Sequence, residues 1–408
     1  MSTNLSLRSL LLAVIVTALS PAVAPHHSAA QEKIFPNLPE LAGAVDFWKQ
    51  IFSQFSARDV VFFDPMDPAK IYSVLRAPES EEGRLVIDKE RARIIADYDL
   101  NEDDPRIRTQ RGARELFLSG LKTAGRYLPQ MQNILRAEGV PSDLAYLPLV
   151  ESSFNVRARS NVGAAGIWQF MAGTGKKFLR IDDAVDERMD PIMSTRAAAR
   201  LLKENYRLFG NWPLAITAYN HGTEGIFQGI NTVGSENLAD LIRGYQSPTF
   251  GFASRNFYAE FLAAVEVAKN RDVYFPFLRT LPPIHFQEVP VTRQTAIHAL
   301  LKPAAISPVD FFEWNPAISP TSKYLPTGYR VKLPPEKLAS FLSAQRRTLP
   351  PAPSMRSVST AARKTRDRPV ATARRPDDKK KVVSKRKNPG RSALTGLPSS
   401  TRSADRRA

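Results

Sequence analysis

The chain has 408 residues, of which 43% are hydrophobic and 9% aromatic, enough apolar material for about two to three packed domains. Its 57 lysines and arginines against 40 acids give a net charge of +17. It contains no cysteine, which excludes disulfides, zinc thiolate sites, cysteine nucleophiles and a lipid-modified cysteine anchor.

Residues 1–30 read as a cleaved secretory signal. Arg8 supplies the positive start, Leu10 to Leu19 is a short apolar run, and Ser28-Ala29-Ala30 offers a small-residue cleavage site. The expected location is therefore periplasmic or secreted, in the cell envelope, and not as a lipoprotein. Residues 31–100 carry no chemical motif. There, Phe47, Trp48, Ile51, Phe52 and Phe55 share one helical face, Val60 to Phe63 is a strand-like run, and Glu90 to Tyr98 has helical spacing, all read as packing.

Residues 101–282 are dominated by helical patterns. Ala198, Leu201, Leu202, Asn205, Leu208 and Phe209 recur at helical spacing, with Ser194 or Thr195 as the cap and Gly210 as the stop. Trp212-Pro213 opens the next helix, which ends near Gly222. The acidic run Asp182, Asp183, Asp186, Glu187 and Asp190 is interleaved with Arg180 and Arg188, and reads as caps or a solvated loop. Residues 283–348 form a small module with a strand at Phe286 to Val289, helices at Gln294 to Leu301 and from Ser307 to Asn315, and a strand at Tyr329 to Pro334. Residues 349–408 are expected to form a disordered basic tail, since 351–408 hold 17 lysines and arginines against 4 aspartates and few large apolar residues. Behind a secretion signal such a tail suits an anionic wall or membrane surface, and nucleic acid is not an expected partner.

The stretch Leu144 to Met171 carries the chemistry. Pro141 and Ser142 can start a helix, on which Leu144, Leu147 and Glu151 fall on one stripe. Pro148 is expected to kink it just ahead of Glu151. A carboxyl placed where a core leucine belongs is costly to ionise and keeps its proton to higher pH, the state a general acid needs. The alternative is a helix-end glutamate turned into water. Gly163 and Gly166 allow close approach of a backbone, Trp168 and Phe170 offer flat faces, and Gln169 and Asn220 supply amides. Acid, glycine loop, aromatic platform and amides together suit a carbohydrate. No second acid pairs with Glu151 at helical spacing. Neither HExxH, GxSxG nor a phosphate loop is present, so neither cofactor nor metal is expected.

Glu151-Ser152, Gly163 to Gln169 and Ala218-Tyr219-Asn220 occur in the order and spacing of the soluble lytic transglycosylase domain. The chain resembles that family over about Arg106 to Arg271, and within it the membrane-bound lytic murein transglycosylase D group. Gly125 to Pro129, Leu147 to Ser152, Asp186-Glu187-Arg188 and Asp190-Pro191 are similar too. The resemblance implies a mainly α fold, a lysozyme-like goose-type helical domain, and cleavage of peptidoglycan glycan strands between N-acetylmuramic acid and N-acetylglucosamine. Glu151 would act as acid and then base, closing a 1,6-anhydro ring. Ser152, Gly166, Trp168, Gln169, Tyr219 and Asn220 would line the substrate site. The family often has a tyrosine in the helix after the AYN segment. That position is Phe257 here, which leaves the neighbouring Tyr258 as a candidate. The 283–348 module is similar to a LysM glycan-binding repeat but lacks its opening Gly-Asp-Thr, so it is read as degenerate.

Overall fold

Helices carry most of the backbone hydrogen bonding, and the strands are short. The computed structural model describes residues 34–101 and 104–348. The signal and basic-tail expectations lie outside them. The chain divides into two units, Met1–Ala344 and Gln345–Ala408, and the fold below is that of the first.

The aromatic stripe read in the first hundred residues forms helix α1 (Ala42–Ser53), burying Phe47, Trp48, Ile51 and Phe52. It packs on the later helix α9 (Phe252–Lys269), and the Trp48 indole N–H donates to Asn256 Oδ1 at 3.1 Å. Strands β1 (Asp59–Asp64), β2 (Asp67–Arg76) and β3 (Arg108–Arg111) make one antiparallel sheet in the order β2-β1-β3. Helix α2 (Glu81–Asp97) starts at the Ser80 cap, whose hydroxyl accepts from Gly83 N. Together with that sheet it encloses a small cluster around Val60, Phe62, Ile94 and Ile107.

The main core is helical. Helix α3 (Arg114–Ala137) packs on the short α4 (Leu147–Ser152), on α5 (Pro191–Phe209) and on α1. Helices α6 (Trp212–His221), α7 (Thr223–Val233) and α8 (Leu238–Gly244) follow, and α6 packs on both α5 and α9. One hydrophobic cluster runs from Phe35 and Trp48 through Leu144, Leu147, Trp168 and Leu202 to Phe261 and Phe275, so the N-terminal segment shares the core of the helical domain.

Two local expectations change. Ser194 and Thr195 do not cap α5. Asp190 does, accepting from Ile192 N at 2.9 Å and Met193 N at 3.0 Å, while the two hydroxyls turn back onto the carbonyls of Asp190 and Pro191 inside the helix. A carboxylate satisfies two orphan N–H groups and complements the helix dipole, which a hydroxyl cannot match. Pro148 likewise does not kink a continuous helix. A 3-10 turn over Ser142–Tyr146 gives way to α4 at Leu147, so Pro148 falls in a first turn, where it has no hydrogen bond to break.

Residues 287–344 form the second cluster. Strands β4 (Gln287–Pro290) and β7 (Arg330–Leu333) pair antiparallel, as do β5 (Thr295–Ala296) and β6 (Tyr324–Leu325), around helices α10 (Ile297–Leu301) and α11 (Pro308–Trp314). Buried Asn315 staples them: its amide N–H groups donate to Phe311 O and Lys332 O, and its oxygen accepts from Lys332 N at 2.8 Å. This cluster reaches into the helical domain, because Val185 is one of its buried members and the Asp186 amide donates to Ala317 O at 2.9 Å. Across the same junction the buried Lys332 ammonium is ion-paired with Asp190, and Arg126 with Glu313.

Candidate active site

Helix α4 has one turn and a half. Leu147, Pro148, Leu149 and Val150 are buried, and Glu151 stands half-buried at its end. The chain then leaves the helix through two consecutive non-glycine residues in the left-handed region, Ser153 at φ 49° and Phe154 at φ 55°. Phe154 is nonetheless fully buried, and its amide closes on Pro148 O at 3.1 Å. Such backbone strain persists only where the surroundings over-determine it, and it clusters at functional sites. Gln169 at φ 48° is a third such residue, so half of the six among the described residues flank this one turn.

The Gly163–Gln169 loop faces that turn, and its shape follows from its backbone bonds. Ala165 pairs with both Arg159 and Phe170, and Gly166 N donates to Ala158 O at 2.9 Å. Gly166 sits at φ 75°, and a Cβ there would lie 1.8 Å from Arg188 O, so only glycine fits. Arg188 is the loop's clamp. One of its guanidinium nitrogens donates to Gly163 O at 2.9 Å and Phe170 O at 3.0 Å, while the other two grip Asp186 in a bidentate pair at 2.9 Å each. Burial pushes the Asp186 carboxyl up, but the hydrogen bonds and charge of Arg188 more than offset this and hold it below the usual carboxylate range.

Three hydrogen bonds join the segments. Ser152 Oγ donates to Ile167 O at 2.9 Å, tying the Glu151 turn to the glycine loop. The Tyr219 hydroxyl donates to Trp168 O at 2.8 Å, tying the loop to the end of α6. Ser254 Oγ donates to Asn220 Oδ1 at 3.1 Å, tying that end to α9. Burial, and then the charge of Glu151, push the Tyr219 phenol well above its usual range, so it stays a neutral donor.

The residues singled out in the sequence separate into two groups. Ser152 and Tyr219 are tied directly to the loop that holds Gly166 and Gln169, with Glu151 and Asn220 next to them in the chain. Trp168 and Tyr258 are not on this face. Trp168 is 0% exposed, its indole N–H donating to Thr195 Oγ1 at 2.9 Å, so its ring is no platform for a sugar; only its carbonyl takes part. Tyr258 is also 0% exposed and donates to Pro36 O at 2.9 Å, which makes it a tie to the N-terminal segment. Gln169 spends its Nε2 on Gly166 O at 2.7 Å, which leaves its oxygen without a partner among the described residues. The exposed lips beside the loop are Val162 and Met171.

Four of the five acids of the 182–190 run are engaged elsewhere: Asp182 with Arg180, Asp186 with Arg188, Glu187 with the Arg180 amide, and Asp190 with Lys332 and the start of α5, while Asp183 is exposed. Asp143 is paired with Lys269 at 2.5 Å. Among the described residues no cluster of histidines and acids has metal-holding geometry. Two cavities, of about 410 Å³ beside Tyr206 and Trp212 and about 350 Å³ beside Glu187 and Lys332, lie away from Glu151.

Residues 131–242 match the family described as the Transglycosylase SLT domain. Over 150 residues the chain is 29% identical to the membrane-bound lytic murein transglycosylase D of Escherichia coli (strain K12), covering 36% of this chain and 32% of that one. Over 109 residues it is 35% identical to a putative tributyltin chloride resistance protein of Alteromonas sp. (strain M-1), covering 26% and 53%. The chain thus spans about a third of the first relative's length. The crystal structure of the 70 kDa soluble lytic transglycosylase of Escherichia coli is similar at 20% identity and a TM-score of 0.31, over 36% of this chain and 24% of that one. The segment that matches the transglycosylase SLT domain holds Glu151, the glycine loop and the end of α6.

Proposed function

We propose that this protein is a peptidoglycan lytic transglycosylase that cleaves the β-1,4 bond between N-acetylmuramic acid and N-acetylglucosamine. The observation that carries the reading is the convergence on Glu151: a half-buried carboxyl on a strained turn, tied through Ser152 to the glycine loop and through that loop to Tyr219. Glycosidases commonly use two carboxylates. Here Asp143, Asp186 and Asp190 are each committed to a lysine or arginine, which favours a mechanism with one.

In that mechanism Glu151 gives its proton to the glycosidic oxygen as the bond to the muramic acid C1 breaks. The substrate's own N-acetyl oxygen stabilises the positive anomeric centre. Glu151, now a carboxylate, takes the proton of the muramic acid C6 hydroxyl, whose oxygen closes on C1. The proton count balances and no water is consumed. The amide of Asn220 and the oxygen of Gln169 hold the sugars. Ser152 serves by bracing the loop. Peptidoglycan in the cell envelope is the substrate, and the LysM-like module at 283–348 is a candidate second contact to the glycan.

The test is Glu151→Gln on purified sacculi. Loss of lysis by at least about 100-fold with sacculus binding retained is expected, the usual scale for a removed general acid. Unchanged lysis overturns the assignment. Mass spectrometry of the wild-type digest separates anhydro ends from reducing ends, which weigh one water more and would mark a hydrolase.

A further inference from the structure

Helix α6 ends at Asn220-His221, with Gly222 following at φ 95°. Against that end, α9 presents Ser254, which is 6% exposed. Ser254 Oγ lies 3.1 Å from Asn220 Oδ1 and 3.3 Å from His221 Nδ1. A hydroxyl has one proton to give and can accept another. Asn220 Oδ1 can only accept, so the Ser254 proton points to Asn220, and His221 must be the donor to Ser254 Oγ through Nδ1–H.

The opposite ring nitrogen agrees with this tautomer. His221 Nε2 is buried with no hydrogen-bond partner among the described residues, and it packs so closely over α7 that a Cβ at Gly225 would lie 2.3 Å from it. A proton there would be a buried donor without an acceptor, which is costly, whereas a bare nitrogen against Cα–H is tolerated. Phe250 closes the ring's other side edge-on at 5.1 Å. The chain of donors therefore runs one way, from His221 to Ser254 to Asn220. Asn220 Nδ2 receives no partner among the described residues, and its hydrogens remain available.

We infer that Ser254, itself oriented by His221, is a positioning residue that fixes the rotation of the Asn220 amide, so that Nδ2 is presented to the substrate's oxygens and Oδ1 is not. Without it the amide can turn over by 180° and offer an acceptor where a donor is required. This rests on the role given to Asn220 in the proposed transglycosylase.

The experiment is a double-mutant cycle on sacculus lysis, with thermal unfolding measured in parallel. Ser254→Ala is expected to lower kcat/KM about tenfold. Ser254→Thr, which keeps the hydroxyl, is expected to restore it to within about threefold of wild type. In an Asn220→Ala background, Ser254→Ala should change kcat/KM by less than about twofold, because nothing remains to be oriented. An equal tenfold loss in both backgrounds, or no loss in either, overturns the inference. A loss that tracks the drop in unfolding temperature and is not rescued by threonine does so too. If wild type itself releases no anhydro products from sacculi, the reading of the whole site fails, which the Glu151 experiment reports separately.

Discussion

At the residue scale, the site shows how a side chain's neighbours decide its use. Trp168 lies in the glycine loop, where an aromatic reads naturally as a sugar platform. The fold instead buries it, because its N–H meets Thr195 across 27 positions of sequence. Trp168→Phe removes that hydrogen bond and part of the buried ring, and should destabilise the protein by about 1–3 kcal/mol in denaturant unfolding while leaving KM for sacculi nearly unchanged. His221 gives a second prediction at this scale. Burial lowers its pKa, since the imidazolium would be poorly solvated. The unfolded chain, with an ordinary value near 6.5, then binds more protons than the folded one. This contribution to stability is fully present above about pH 6.5 and is lost as pH falls through the depressed folded value. The difference in melting temperature between wild type and His221→Leu should therefore narrow as pH is lowered from about 7.5 to about 5.

At the scale of the element, Asp190 does two jobs with one carboxylate. Oδ1 caps α5 and Oδ2 meets the Lys332 ammonium of β7, both side chains being nearly inaccessible. A buried pair of this kind adds little over a well-packed apolar pair, but removing one partner strands the other. Lys332→Met should cost about 3–5 kcal/mol, and adding Asp190→Asn should recover part of it, measured by chemical denaturation. Here the sequence was partly legible. Periodicity gave α1, α5 and the start of α6, because apolar spacing is local. For the start of α5 the sequence offered both the hydroxyls of Ser194 or Thr195 and an acidic run read as caps or a solvated loop, and Asp190 of that run is the residue that caps it. The kink at Pro148 was misread because nothing local announces that a 3-10 turn ends at Tyr146.

At the scale of the whole molecule, what the sequence showed least was what holds the site. The order of Glu151, the glycine loop and the AYN segment was visible, since each carries its own short pattern. Arg188 as clamp, Ser254 as brace and Tyr258 as a tie to Pro36 were not, since each of these roles depends on a partner 18 or more positions away. The same distance effect hid the seam between residues 287–344 and the helical domain, where Val185 is buried among the smaller part's apolar residues.

That seam limits how far the stretch holding Glu151 could be excised. Asp186 grips the loop-clamping arginine with its side chain and spends its own amide on Ala317. A unit trimmed after residue 282 would bare Val185 and orphan that amide two residues from Arg188. Transplanting the Glu151 turn and its glycine loop into a smaller scaffold would thus require a substitute carbonyl and a new apolar cover at the spot where the loop's shape is set.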